Sequence, residues 1–290
     1  MIGELVSSWL LRTADANCLT FEELSDAFLC RDPLLRLEIK GLDFRLTTRA
    51  RKSLALFAHL RPAQIRSLEL QVQMPNIPEQ WILRFPVHLQ GDGHRWPASR
   101  ARYAFCSRCL LEMHRHDGCI WIPAAWACAT LTHCHRHRTP LLERCPSCFV
   151  SDPLRAISDS TTGHIRCRKC DGSLLLHNRE EPTTLALAKV ISLEESILAA
   201  LRGKPPDPYW CAKLSATEFV RKLEALVNSL TCGGTDSGFL LVVEGDAQWE
   251  EHLRSRQAPE AFFPVFSWRW RLLLMGSLVE LLEDRKMSTG

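Results

Sequence analysis

The residues able to do chemistry in this chain sit close together. Between positions 106 and 170, seven cysteines and one histidine fall into four pairs, each separated by two residues: Cys106 and Cys109, Cys134 and His137, Cys145 and Cys148, Cys167 and Cys170. Two intervening residues let one tight turn aim two ligands at a single ion, and two such turns complete a tetrahedral zinc site. Four pairs supply eight ligands, enough for two structural zinc ions. Pairing neighbours puts Cys106, Cys109, Cys134 and His137 around one ion and Cys145, Cys148, Cys167 and Cys170 around the other. The loops between paired turns then hold 24 and 18 residues. The second loop lies in the range of C-x2-C-x15–20-C-x2-C zinc sites. A cross-braced arrangement, first pair with third and second with fourth, obeys the same spacing and stays open.

Other uses of these residues are disfavoured. Four pairs within 65 residues are too many for a thioredoxin-like redox motif. No Cys-x2-Cys pair is followed by histidine, as haem attachment would need. A zinc deaminase would show H-x-E and then P-C-x2-C, whereas here the proline follows the cysteine (Cys145, Pro146). A zinc ion with four protein ligands has no open position for an activated water. The chain is therefore expected not to be an enzyme. The remaining cysteines, Cys18, Cys30, Cys119, Cys128, Cys211 and Cys232, are expected as small buried hydrophobes. His114, His116, His133 and His135 are expected at the surface or beside the metal. His135 is the alternative to His137, disfavoured because adjacent placement distorts the turn.

The rest of the chain must position these turns. A length of 290 residues with 46% apolar and 24% charged residues is ordinary globular composition. The formal net charge is only +3, and seven thiolates with two zinc dications would cancel it. Nucleic-acid binding would thus depend on local patches. The start, "MIGELVSSWLLR", lacks the pattern of a signal peptide, and the run 118–132 is too short for a membrane span. A cytoplasmic protein without membrane contact is expected, and reduced thiols there favour metal over disulfides.

The flanks read as helical. The segment 3–17 places Leu5, Trp9 and Leu10 at helical spacing, and 20–29 opens on Thr20-x-x-Glu23, a capping-box pattern. Two short helices and a turn begin a helix-turn-helix. A further helix starting near Thr47 or Thr48 brings Arg49, Arg51 and Lys52 into its first turns, after Arg45. These four are the candidate DNA contacts, against a solvated basic face as the plain alternative. Another helix is expected over 63–70. Prolines at 75, 78, 86 and 97 exclude a long helix. Residues 164–176 suggest strand, turn and strand. Helices are expected over 182–203, over 215–230 behind a Ser215-x-x-Glu218 capping box, and over 258–285. The expected fold is mainly α with two small zinc-ribbon-like β modules. It comprises a helix-turn-helix domain (1–75), a linker (76–99), tandem zinc fingers (100–178) and a C-terminal helical domain (179–290).

In this order the motifs resemble the TniQ family, target-selection adaptors of prokaryotic transposons. The resemblance rests on Glu4, Ser8, Trp9, Leu10 and Arg12, then on Phe105, Cys106, Cys109 and Leu110. It continues through Trp126, Cys134, His137, Leu141, Leu142, Cys145 and Cys148 and closes on Cys167 and Cys170. It covers about 3–178. Where the family pattern carries C-P-x-H-G, this chain has Cys134, His135, Arg136, His137 and Arg138, without proline or glycine. The resemblance implies a non-enzymatic adaptor in DNA transposition and target-site selection. Such an adaptor links a recognition element to an AAA+ ATPase regulator, which recruits the transposase. The recognition element is target DNA itself in some members and an RNA-guided CRISPR surveillance complex in others. A homodimer is an open assembly state. A free-standing zinc-ribbon and helix-turn-helix transcription regulator is the competing reading.

Overall fold

The computed structural model describes residues 3–19, 23–24, 27, 43–83, 103–149, 166–167, 169–174, 184–211, 214–232 and 268–287. Eight α-helices are found among them. They are α1 (Val6–Ala16), α2 (Thr48–Phe57), α3 (Pro62–Arg66), α4 (Leu70–Gln73), α5 (Ser107–Asp117), α6 (Leu185–Leu201), α7 (Ala216–Cys232) and α8 (Trp268–Met287).

Local signals account for most of the helix ends. The Thr47 side chain accepts from the Ala50 N–H at 3.1 Å and starts α2. Thr184 does the same for Leu187 at 3.2 Å and starts α6. Ser215 and Glu218 bond each other's backbone N–H groups, closing the expected capping box before α7. Gly203 stops α6 with φ 76° in the left-handed region that glycine adopts without penalty. The helix expected over 63–70 is two short helices, because the chain turns at Ser67–Glu69 to bury Leu68 and Glu69. Of the second helix expected for the helix-turn-helix, Glu23, Leu24 and Ala27 are helical, and the rest of 20–29 lies outside the described residues, as does 258–267.

Two apolar clusters organise the chain. In the smaller, Val6, Leu10 and Ala14 of α1 meet Ala50, Leu54 and Ala55 of α2 and Ile65 of α3. This is a compact helical bundle at the N-terminus. The larger cluster runs from Leu5 and Leu70 through Trp81, Phe105, Trp126, Leu193 and Phe219 to Leu274 and Leu278. It joins residues of the metal-ligand region to α6, α7 and α8, which pack on one another. Residues 77–83, at the start of the segment read as a linker, contribute buried Ile77, Trp81, Ile82 and Leu83. Asn76 secures them: its side-chain amide donates to the Ala200 carbonyl at 2.8 Å and its N–H to Leu201 at 3.2 Å, bonding the end of α6.

The zinc-ribbon strands do not develop as ladders. Among the described residues β pairing is limited to isolated antiparallel bridges, including Phe105 with Leu142, His133 with Pro140 and Arg166 with Ser173. The first ligand pair leads straight into α5, so one ribbon arm is replaced by a helix. No described helix is long and apolar enough to cross a membrane.

Candidate metal centre

The neighbour pairing is the one realised. The ligand atoms of Cys106, Cys109, Cys134 and His137 lie within 4.8 Å of one another, as do those of Cys145, Cys148, Cys167 and Cys170. Each group could hold one ion, and the cross-braced alternative falls away because the two sets are spatially separate.

The first centre is built where α5 begins. Cys106 is the residue before the helix and Cys109 lies in its first turn, where the partial positive charge of the helix start favours thiolate. The opposing turn carries Cys134 and His137. His137 Nδ1 stands 3.5 Å from Cys106 Sγ, 3.3 Å from Cys109 Sγ and 3.6 Å from Cys134 Sγ. The Cys109 and Cys134 sulfurs are 3.5 Å apart. Zinc bonds of about 2.3 Å to sulfur and about 2.0 Å to nitrogen, at tetrahedral angles, put sulfurs about 3.8 Å apart and sulfur about 3.5 Å from nitrogen. The fit to a zinc ion is therefore close. Imidazole Nδ1 is the ligand atom, because Nε2 is 2.8 Å from the Glu112 carboxylate. Such a carboxylate fixes the ring and raises its basicity as a ligand. Hydrogen bonding from His137 in turn holds the Glu112 carboxyl below its usual range, with Arg136 adding to it. Bonds from Cys109 and Cys134 pull the Cys106 thiol down, the first step toward the thiolate a metal needs.

The second centre is more open. Cys145 Sγ is 3.6 Å from Cys170 Sγ, and Cys148 Sγ is 3.7 Å from Cys167 Sγ. The N–H groups of Ser147 and Lys169 point at Cys145 and Cys167 sulfur, each at 3.4 Å. Burial raises the Cys145 thiol, but backbone N–H groups of Cys148 and Ser147 and two neighbouring thiols outweigh it, bringing it down to about 7. Cys170 is exposed and Cys148 half-buried, whereas all three cysteines of the first centre are buried.

Three of the four turns share one backbone shape. Arg138, Phe149 and Asp171, each following the second ligand of its pair, have φ of 54°, 56° and 56°. The first of these is where the family pattern carries glycine, and Arg138 takes the left-handed backbone regardless. Leaving glycine out changes the residue, not the turn.

The other motif residues are a clamp. Arg12 donates to both oxygens of Glu4, Nε and Nη2 each at 2.7 Å, and Ser8 Oγ donates to the same carboxylate at 3.0 Å. Ser8 Oγ also accepts from the Ile122 N–H at 2.8 Å. The Leu5 N–H donates to Ile122 O and the Ala124 N–H to Gly3 O, so the start of α1 is fastened to the segment after α5. Glu4 is wholly buried, and its bond to Arg12 raises the guanidinium pKa.

Several expectations need correction. His133 is neither exposed nor at the metal: it is buried, Thr132 Oγ1 lies 2.9 Å from its Nδ1, and its N–H donates to Glu194 at 3.0 Å. Among the non-ligand cysteines whose side chains are described, only Cys128 is buried as expected; Cys18 is exposed, and Cys119 and Cys211 are half-buried. Cys30 lies outside the described residues, and Cys232 is described only as part of α7. His135 is not a ligand; burial, Arg202 and Arg136 hold it below its ordinary value. Of the four candidate DNA contacts, Arg45, Arg49 and Lys52 are exposed. Arg51 instead turns inward and donates to both carboxylate oxygens of Glu69, at 2.6 and 3.1 Å.

The unequal burial of the two centres has a measurable consequence. Elemental analysis of reduced protein should find two zinc ions per chain, and a chelator should remove them in two phases. The faster phase belongs to the open second centre, so Cys170→Ser should abolish it and leave the slower phase unchanged. A single phase in the wild type, or one ion per chain, contradicts the two-centre arrangement.

No curated protein matches the chain. The family model for TniQ matches residues 2–141, which include the Glu4–Arg12 clamp, α5 and the whole first centre. TniQ domains belong to transposition-associated proteins that are generally non-catalytic adaptors. Over residues 2–141 the chain matches the TniQ family.

Proposed function

We propose that the chain is a non-enzymatic adaptor in DNA transposition, joining a target-recognition element to an AAA+ regulator and through it to the transposase. The observation that carries this reading is the TniQ match over 2–141. The chemistry of the centres supports it. Each gathers four protein ligands, a set that closes a tetrahedral zinc ion and leaves no place for substrate. The ions would be structural, holding the ligand turns against the large core so that the surfaces around them keep one shape. The test is target-directed integration in a system reconstituted from the chain, an AAA+ regulator, a transposase and donor DNA. Omitting the chain should abolish selection of the target site while leaving ATP hydrolysis by the regulator intact. Unchanged target choice without the chain would falsify the adaptor reading.

Duplex DNA is the target element favoured by the basic face of α2. Arg49 and Lys52 stand exposed there, and Arg45 is exposed just before the helix. Each lost phosphate contact should flatten the log–log salt dependence of binding by about one unit. Replacing Arg49 and Lys52 by alanine should therefore reduce the slope by about two and leave zinc content unchanged. Replacing Arg51 should chiefly lower stability, because it breaks the pair with Glu69. Superimposable salt titrations of wild type and the double variant on duplex DNA would remove α2 from the interface.

A further inference from the structure

We infer that a groove beside the first metal centre docks an acidic peptide segment of a partner protein, anchored by one large apolar side chain. The groove has a volume of about 420 Å³. That lies within the range of about 300–1,000 Å³ typical of ligand sites. Met74, Met113 and Trp126 are buried and line it, and half-buried Trp121 is one of its walls. Two thioethers beside two indoles make a polarisable surface that adapts to an aromatic or branched side chain. None of the twelve lining residues is acidic, while Arg136 and Arg202 both belong to the lining.

The two arginines differ in what already holds them. Arg136 is 2.9 Å from the Glu112 carboxylate. Among the described residues no carboxylate pairs with Arg202, which is exposed at the end of α6. Its backbone is fixed there, because its N–H donates to Leu198 and Ala199. An apolar cleft with an uncompensated guanidinium at its edge fits a ligand that brings both a hydrophobic side chain and a carboxylate. Nucleic acid fits less well: two arginines on an apolar surface neutralise too few phosphates for a backbone.

The metal centre shapes this groove. Cys109 and Met113 come from α5, while His135 and Arg136 lie between the ligands Cys134 and His137. Loss of the first ion would therefore displace one wall. This docking site rests on the chemistry of the groove and goes beyond the transposition reading. Peptide binding and target-directed integration can each fail without the other.

The experiment uses the zinc-loaded full chain and a phage-displayed random dodecapeptide library. Selected peptides should combine an aromatic or leucine residue with flanking aspartate or glutamate. The best of them, made synthetically with a fluorescein label, should bind wild type and lose about tenfold in affinity, equivalent to about 1.4 kcal/mol, on Arg202→Glu. Trp121→Ala should weaken the same peptide, and zinc content should be equal in all three proteins. A benzophenone at the anchor position should crosslink to Met74 or Met113. Selection of peptides without acidic residues, affinity indifferent to Arg202→Glu, or crosslinks elsewhere would overturn the inference. So would displacement of the peptide by self-association of the chain or by duplex DNA.

Discussion

Cys106→Ser should leave one zinc ion per chain and lower the stability of the protein by several kcal/mol. Structural zinc contributes on the order of 10 kcal/mol of apparent folding free energy in small domains. Here part of that is buffered, because the first centre leans on a large apolar core that does not vanish with the ion. Cys106, Cys109 and Cys134 are all members of that core. The same burial prevents water from replacing the lost ligand easily. Serine would place a hydroxyl where a wholly buried sulfur now lies 3.5 Å from His137 Nδ1. The remaining thiols would meet at short range with no cation between them. Cys128→Ala is the matched control. Cys128 is equally buried, and burial pushes its thiol up to about 12, but it is no ligand. Its loss should cost about 1 kcal/mol and no zinc. Elemental analysis with chemical denaturation separates the two. Equal zinc content in Cys106→Ser and wild type would remove Cys106 from the centre.

Arg271→Met should destabilise the chain by about 3–5 kcal/mol, the usual cost of removing one partner from a buried ion pair. Arg271 lies on α8 and is fully buried. Its Nη1 donates to the Ala129 carbonyl at 2.6 Å and to the Leu131 carbonyl at 3.0 Å, and its Nη2 pairs with the buried carboxylate of Glu143. The guanidinium thus joins the C-terminal helix to the segments on either side of the ligand pair Cys134/His137. Methionine fills much of the space and removes all three interactions. In a chain of this length, 1 kcal/mol shifts the melting temperature by about 2–4 °C. A drop of roughly 6–20 °C is expected. Arg271→Met with Glu143→Leu should recover part of the loss, because the desolvated carboxylate goes too. Two changes that add without recovery would show that the pair is not coupled.

The sequence by itself determined the parts of this protein that depend on neighbours along the chain. The ligand pairs are legible because two intervening residues define a turn. Thr47, Ser215 with Glu218, and Gly203 mark helix ends because a cap is satisfied within three residues. The apolar spacing in 3–17 gave α1, and a proline-rich segment excluded a long helix after 74. Spacing along the chain does not choose between neighbour pairing and cross-bracing; that choice is made by the core beneath the turns, where Phe105 meets Leu142 across 37 positions. Nor does it distinguish one arginine from another. Arg49, Arg51 and Lys52 read alike as a basic cluster, yet Arg51 lies within reach of Glu69, which α3 and the following turn bring alongside α2. Arg271 reads as a polar residue on an amphipathic helix, and its burial depends on Glu143 and on two carbonyls from 128 to 142 residues away. Glu112 gave no metal-site signal because its partner is His137, 25 residues on, which faces it only once α5 has formed and its own turn has closed. Charged side chains are assigned to solvent, to an ion pair or to a ligand by what the fold brings opposite them, and that pairing is long-range.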